Sequence, residues 1–121
     1  MKKIKILIVE DEVMIAQCLK MDFEEKGFDV CGFTASGEES VVEAKENNPD
    51  LILMDIHLQG RIDGIEAAEK INENNSIPIV FMTGYNKSNI IERAQKVNPV
   101  AILTKPVSAI DLKPMIESIL E

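Results

Sequence analysis

Five short apolar runs, each followed by a longer stretch of helical pattern, constrain this chain most. The runs are Ile4–Val9 (IKILIV), Phe28–Phe33 (FDVCGF), Leu51–Met54 (LILM), Ile77–Met82 (IPIVFM) and Val100–Leu103 (VAIL). Runs this short and this rich in β-branched and large apolar residues suit strands buried on both faces, as in the centre of a parallel sheet. FDVCGF is the more polar run and is expected at an edge. The strand-helix alternation, repeated five times, predicts an α/β domain: a doubly wound five-stranded parallel sheet with helices on both faces.

The helical stretches carry their own punctuation. Around Glu12–Lys26, Ile15, Leu19 and Phe23 recur at four-residue spacing and define one inward face, and Gly27 suits the C-terminal cap. Ser36 with Glu39, and Asp63 with Glu66, have the spacing of capping boxes. Val41 and Ala44 are expected inward on the second helix, and Ile65, Ala68 and Ile71 on the third. The fourth helix, roughly 87–97, should turn Ile91, Ala94 and Val97 to the core before Pro99 stops it. In the fifth, about 111–120, Pro114 is best placed in the first turn, which makes Asp111 rather than Ser108 the expected cap.

With 121 residues the chain is the length of one domain, and no linker, repeat or low-complexity segment divides it. A single domain over 1–121 with no effector domain is expected. The net charge of -8 disfavours direct nucleic-acid binding, which needs a basic patch, and disfavours an anionic membrane surface. No apolar run approaches the roughly 18 residues that span a bilayer. The basic start MKKIKILIVE runs into acids where a signal peptide would have small residues. Cys18 and Cys31 have no metal-like spacing and are expected as reduced, partly buried thiols, as in a cytoplasmic protein.

In sheets of this kind ligands bind beyond the carboxyl ends of the strands. Glu10, Asp11 and Glu12 follow the first run, Asp55 the third, Thr83 and Gly84 the fourth, and Lys105–Pro106 the fifth. Glu10, Asp11 and Asp55 would then crowd up to three negative charges together, which a divalent cation relieves. Oxygen-only ligands suit Mg2+ or Mn2+. A carboxylate beside a cation and a lysine can act as a nucleophile toward a phosphoryl group, with Lys105 and the hydroxyl of Thr83 meeting the phosphoryl oxygens. Taken singly, each residue has a plainer reading: Glu10 or Glu12 as a helix cap, Lys105 as a surface lysine.

The motifs VEDE (9–12), LILMDI (51–56), DGIEAAEKI (63–71), MTGY (82–85) and LTKPV (103–107), in this order and spacing, resemble the receiver domain of two-component response regulators. The likeness runs over essentially the whole chain. It implies the chemotaxis-regulator-like, flavodoxin-like fold with strand order 2-1-3-4-5. It also implies that Asp55 accepts a phosphoryl group from a phosphohistidine on a sensor histidine kinase or phosphotransfer protein. Asp11, Asp55 and the backbone carbonyl of His57 would ligate Mg2+, Glu10 would hold it through water, Thr83 and Lys105 would bind phosphoryl oxygens, and Lys105–Pro106 would be cis.

The chain departs from the family pattern at two places. Ile102 stands where the family often has an aromatic switch residue. The loop HLQGRIDG is one residue longer than the common form, with Gln59–Gly60 in place of a usual proline. His57 and Tyr85 occupy variable positions that in the family border the phosphoryl group and tune its hydrolysis. Ile90 and Ile110 are expected to be less committed to the core, marking the fourth helix, fifth strand and fifth helix as a candidate face for a downstream protein or a homodimer.

Three other functions compete. A haloacid-dehalogenase-type phosphatase also uses an aspartate after a strand but needs an acid two residues later, where this chain has His57. A flavodoxin-like cofactor carrier needs a phosphate loop after the first strand, where EDEV is acidic, and no GxxxxGK[ST] loop is present. A receiver-like module that binds partners without phosphorylation has no need of the intact Asp11, Asp55, Thr83 and Lys105 set.

Overall fold

The computed structural model describes residues 3–84 and 87–120. The elements alternate as β1 (Lys5–Val9), α1 (Val13–Glu25), β2 (Asp29–Thr34), α2 (Gly37–Asn47), β3 (Leu51–Asp55), α3 (Gly64–Asn74), β4 (Ile79–Thr83), α4 (Ser88–Gln95), β5 (Ala101–Thr104) and α5 (Ala109–Leu120). The strands form one sheet in the order β2-β1-β3-β4-β5, every pair parallel. This is the order that the family resemblance implies.

Alternation along the strands divides the core in two. Leu7, Val9, Ile52, Met54 and Phe81 meet Ala44 of α2, Ile65, Ala68 and Ile71 of α3, and Ala94 of α4. Ile6, Ile8, Leu53, Val80 and Met82 meet Leu19 and Phe23 of α1 and Leu112 and Ile116 of α5. Every residue of β3 is buried, so the strand that ends in Asp55 is the stiff centre of the sheet. Among the described residues no helix is long and apolar enough to cross a membrane.

The polar run forms the edge strand β2, as expected, and it is bulged. Its register with β1 slips between Ile6 and Leu7, pairing Val30 with Ile6 and Gly32 with Leu7 and leaving Cys31 as the extra residue. Gly32 carries the positive φ of +155° at this point, and the Cys31 thiol donates to the Ile6 carbonyl at 3.5 Å.

Four local expectations need correction. On α1 the inward set is Ala16, Leu19 and Phe23; Ile15 is 37% exposed. The small residue lies against the sheet, and the larger neighbour is turned outward. Ile90 on α4 and Val97 just beyond it are half-buried against the core, whereas Ile91, equally half-buried, is not among the residues packed on it, so Ile90 rather than Ile91 faces inward. The fifth helix begins at Ala109, directly after Ser108, and Pro114 lies inside it. Pro114 is on the exposed side, where water can satisfy the carbonyl that the missing N–H leaves. Ser108 Oγ donates to Asp111 Oδ2 at 2.8 Å, and Asp22 Oδ2 of α1 accepts from the Ala109 amide at 2.8 Å. The start of α5 is thus capped from another helix. Finally, Cys18 is exposed, while Cys31 is half-buried, and both are free thiols.

Candidate functional site

The carboxyl ends of β1 and β3 bring Glu10, Asp11 and Asp55 together. One carboxylate oxygen from each lies within 4.8 Å of the others. Glu10 and Asp55 are buried, at 1% and 2% exposure, and Asp11 is half-buried. Glu10 is fixed at both ends: its amide donates to the Thr34 carbonyl at 2.9 Å, and Oε2 accepts from the Glu12 amide at 3.1 Å. Glu12 is the residue before α1, but its side chain makes no capping bond.

Lys105 reaches this cluster from the turn after β5. Its Nζ lies 2.7 Å from Asp55 Oδ2 and 2.8 Å from Glu10 Oε1. The Lys105 amide donates to the carbonyl of Thr83 at 2.9 Å, and the Lys105–Pro106 peptide is cis, as the resemblance implies. Thr83, at the end of β4, is fully buried and stands one position beyond Met82, the register partner of Asp55. The other oxygen of Asp55, Oδ1, accepts from the His57 amide at 3.1 Å. The Asp55 carboxylate is therefore oriented from both sides, by a backbone N–H and by an ammonium.

The charges do not balance: three carboxylates face one ammonium. Burial, and then the hydrogen bond and charge of Glu10, push Asp11 above its ordinary value of 3.8. Burial alone would lower Lys105, but its hydrogen bonds to Asp55 and Glu10 outweigh that and raise it above 10.5. A cluster with excess negative charge and only oxygen donors fits a hard divalent cation.

The sequence reading missed Gly64. A Cβ there would stand 2.1 Å from the carbonyl oxygen of Asp55, and the Gly64 amide donates to the Ile56 carbonyl at 2.8 Å. Only glycine lets the start of α3 abut the backbone of Asp55. Its signal is a glycine at the first position of a well-capped helix, where it would otherwise weaken the helix. The Asp63–Glu66 capping box is formed as expected, and Asp63 Oδ2 also accepts from Arg93 of α4 at 3.0 Å. His57 is exposed, and Tyr85 lies outside the described residues. Ile102 is half-buried against the core.

Between α1 and the turn after β5 lies an apolar groove of about 730 Å3 lined by Met14, Ile15, Cys18, Pro106 and Val107, together with Glu10 and Lys105, the two residues joined by the ion pair next to Asp55.

The family model for the response regulator receiver domain matches residues 6–117. This chain belongs to that family. Among its relatives, the transcriptional regulatory protein PdtaR of Mycobacterium tuberculosis is 38% identical over 113 residues, covering 93% of this chain and 55% of PdtaR. The probable C4-dicarboxylate response regulator DctR of Halalkalibacterium halodurans is 33% identical over 112 residues, which are 91% of this chain and 48% of DctR. The receiver thus spans about half the length of the curated relatives it matches. Among solved structures, the signal receiver domain of a modulated diguanylate cyclase from Desulfovibrio desulfuricans superposes with a TM-score of 0.90 at 38% identity, covering 97% of this chain and 93% of that one. A CheY-like receiver from Methanospirillum hungatei gives 0.88 at 27% identity, covering 98% and 94%. This receiver is a module of two-component signalling.

Proposed function

We propose that the receiver accepts a phosphoryl group on Asp55 from a phosphohistidine of a sensor histidine kinase or phosphotransfer protein. The observation that carries this reading is the double contact of Lys105 with Asp55 and Glu10 in a cluster short of positive charge. A carboxylate oxygen of Asp55 attacks phosphorus, the P–N bond of the donor breaks, and the imidazole nitrogen keeps the electron pair and takes up a proton. Lys105 and Thr83 bind the phosphoryl oxygens as they arrive. The His57 amide holds Asp55 Oδ1 throughout, so the carboxylate enters the reaction already oriented.

Asp11, Asp55 and the His57 carbonyl, with Glu10 through water, would hold Mg2+ or Mn2+. When bound, the cation supplies positive charge to the phosphoryl oxygens and relieves the repulsion among the three acids. The apolar groove between α1 and the turn after β5 is the surface we assign to the donor protein, since it is lined by Lys105, the partner of Asp55, and by Met14, which is 80% exposed. Phosphorylation draws Thr83 and the turn after β4 toward Asp55 and shifts the α4–β5–α5 face between two populations, presenting it to a downstream protein or a second copy. Ile110, 67% exposed, stands on that face.

The test supplies a small phosphodonor with Mg2+ and reads the intact mass. A gain of one phosphoryl group, lost in Asp55→Asn, is the expected result. A wild-type protein that gains no mass overturns the reading.

A further inference from the structure

The loop after β3 is clamped by the start of α2. Asp55 ends β3, and the loop runs through His57, Gln59 and Gly60 to the cap of α3. Its ends are tied to the sheet and helix: the Ile56 amide donates to Met82 and the Gly64 amide to Ile56. Its middle is held from α2 and the residue before it. Gln59 forms an isolated parallel bridge with Ser36. The Ile62 amide donates to Glu38 Oε1 at 3.1 Å. Gly37 lies so close to Ile62 that a Cβ there would meet its side chain at 2.7 Å.

Gly60 and Glu38 are matched. Gly60 has φ +113°, the backbone that side chains avoid, and a Cβ at this position would stand 3.0 Å from Glu38 Oε2. The Glu38 carboxylate therefore occupies the space that the absent side chain leaves and accepts from the amide of Ile62, two residues on. β1 lies between β2 and β3 in the sheet. The clamp thus joins the segments after β2 and β3 across the line of β1, whose end carries Glu10 and Asp11.

We infer that Glu38 is a positioning residue for the divalent cation: by pinning the loop at Ile62 it fixes the backbone of His57, whose carbonyl completes the ligand set. This rests on the reading that the His57 carbonyl binds the cation. Glu38 is exposed and distant in sequence from every acid of the cluster, so it acts through the loop and not as a ligand. Outer partners of this kind set the geometry of ligands they never replace.

The test measures Mg2+ affinity by calorimetry and amide exchange by NMR in metal-free protein, for Glu38→Ala, Glu38→Gln and Glu38→Asp. Gln keeps an acceptor at the same reach without charge; Asp keeps the charge and loses the reach. Ala and Asp should weaken Mg2+ binding by about tenfold and remove protection at the Ile62 amide. Gln should stay within about twofold of wild type, because a neutral acceptor retains the bond. If Ala binds Mg2+ as wild type does, the inference is overturned. If Gln is as weak as Ala, the effect is one of charge and the inference is again overturned. In either of those cases a wild type that binds Mg2+ and is phosphorylated leaves the proposed function standing, whereas a wild type that does neither overturns that function itself.

Discussion

Lys105 Nζ lies 2.7 Å from Asp55 Oδ2, and this one ammonium is shared with Glu10 at 2.8 Å. Among the described residues, two buried carboxylates thus share the ammonium of Lys105. Lys105→Met should destabilise the metal-free protein by about 2 kcal/mol or more, since it strands both charges. Urea denaturation in chelator checks this, and added Mg2+ should recover part of the loss. The lysine's pKa is raised above 10.5, with burial opposing and the Asp55 and Glu10 bonds prevailing. Its contribution is therefore present below 10.5 and fades as pH rises through the raised folded value.

Gly64→Ala places a methyl 2.1 Å from the Asp55 carbonyl oxygen, a backbone atom that cannot step aside. The expected cost is about 3 kcal/mol or more, from overpacking at a rigid junction. Denaturant melts measure it. Phosphorylation from a small donor should fall as well, because the displaced atoms belong to Asp55, the residue proposed to take the phosphoryl group.

Asp11 is raised above 3.8, by burial first and then by Glu10. A raised carboxylate favours the folded state in acid and ceases to do so as pH climbs through its folded pKa. A divalent cation competes with that proton. The rise in Tm produced by Mg2+ should accordingly be largest near neutral pH and disappear as pH falls through the raised value. Asp11→Asn should show little Mg2+-dependent rise at any pH. Melting curves over a pH series, with and without Mg2+, give the answer.

Arg93 and Asp63 join α4 to the cap of α3 at 3.0 Å, with side chains 47% and 28% exposed. An exposed pair is weak, so Arg93→Ala should change stability by no more than about 0.5 kcal/mol. Asp63→Ala also removes the capping box and should cost about 1–2 kcal/mol. A double-mutant cycle by thermal or chemical unfolding separates the two, with most of the aspartate's effect surviving in the Arg93→Ala background.

The sheet was legible because strands buried on both faces must be written almost wholly in apolar residues, so the acids and the lysine at their ends stand out. The Asp63–Glu66 box was legible because both partners are local. Ile15 misled because periodicity identifies a face but not which of two adjacent residues approaches the sheet; packing selected the small Ala16. The start of α5 misled because its first amide is capped by Asp22, far away in sequence. Gly64 and Glu38 act through contacts that exist only once β3, α2 and α3 have come together. The glycine after the Asp63 cap is the local sign of the first; nothing local marks Glu38.

The two borders of the sheet are both poor templates for another strand. On one side β2 is kinked at Cys31 and Gly32. On the other, β5 runs for only four residues and stops at Lys105–Pro106. Irregular, short margins blunt backbone-to-backbone pairing with a neighbouring chain. The sheet is thereby guarded against the indiscriminate stacking that exposed strands invite.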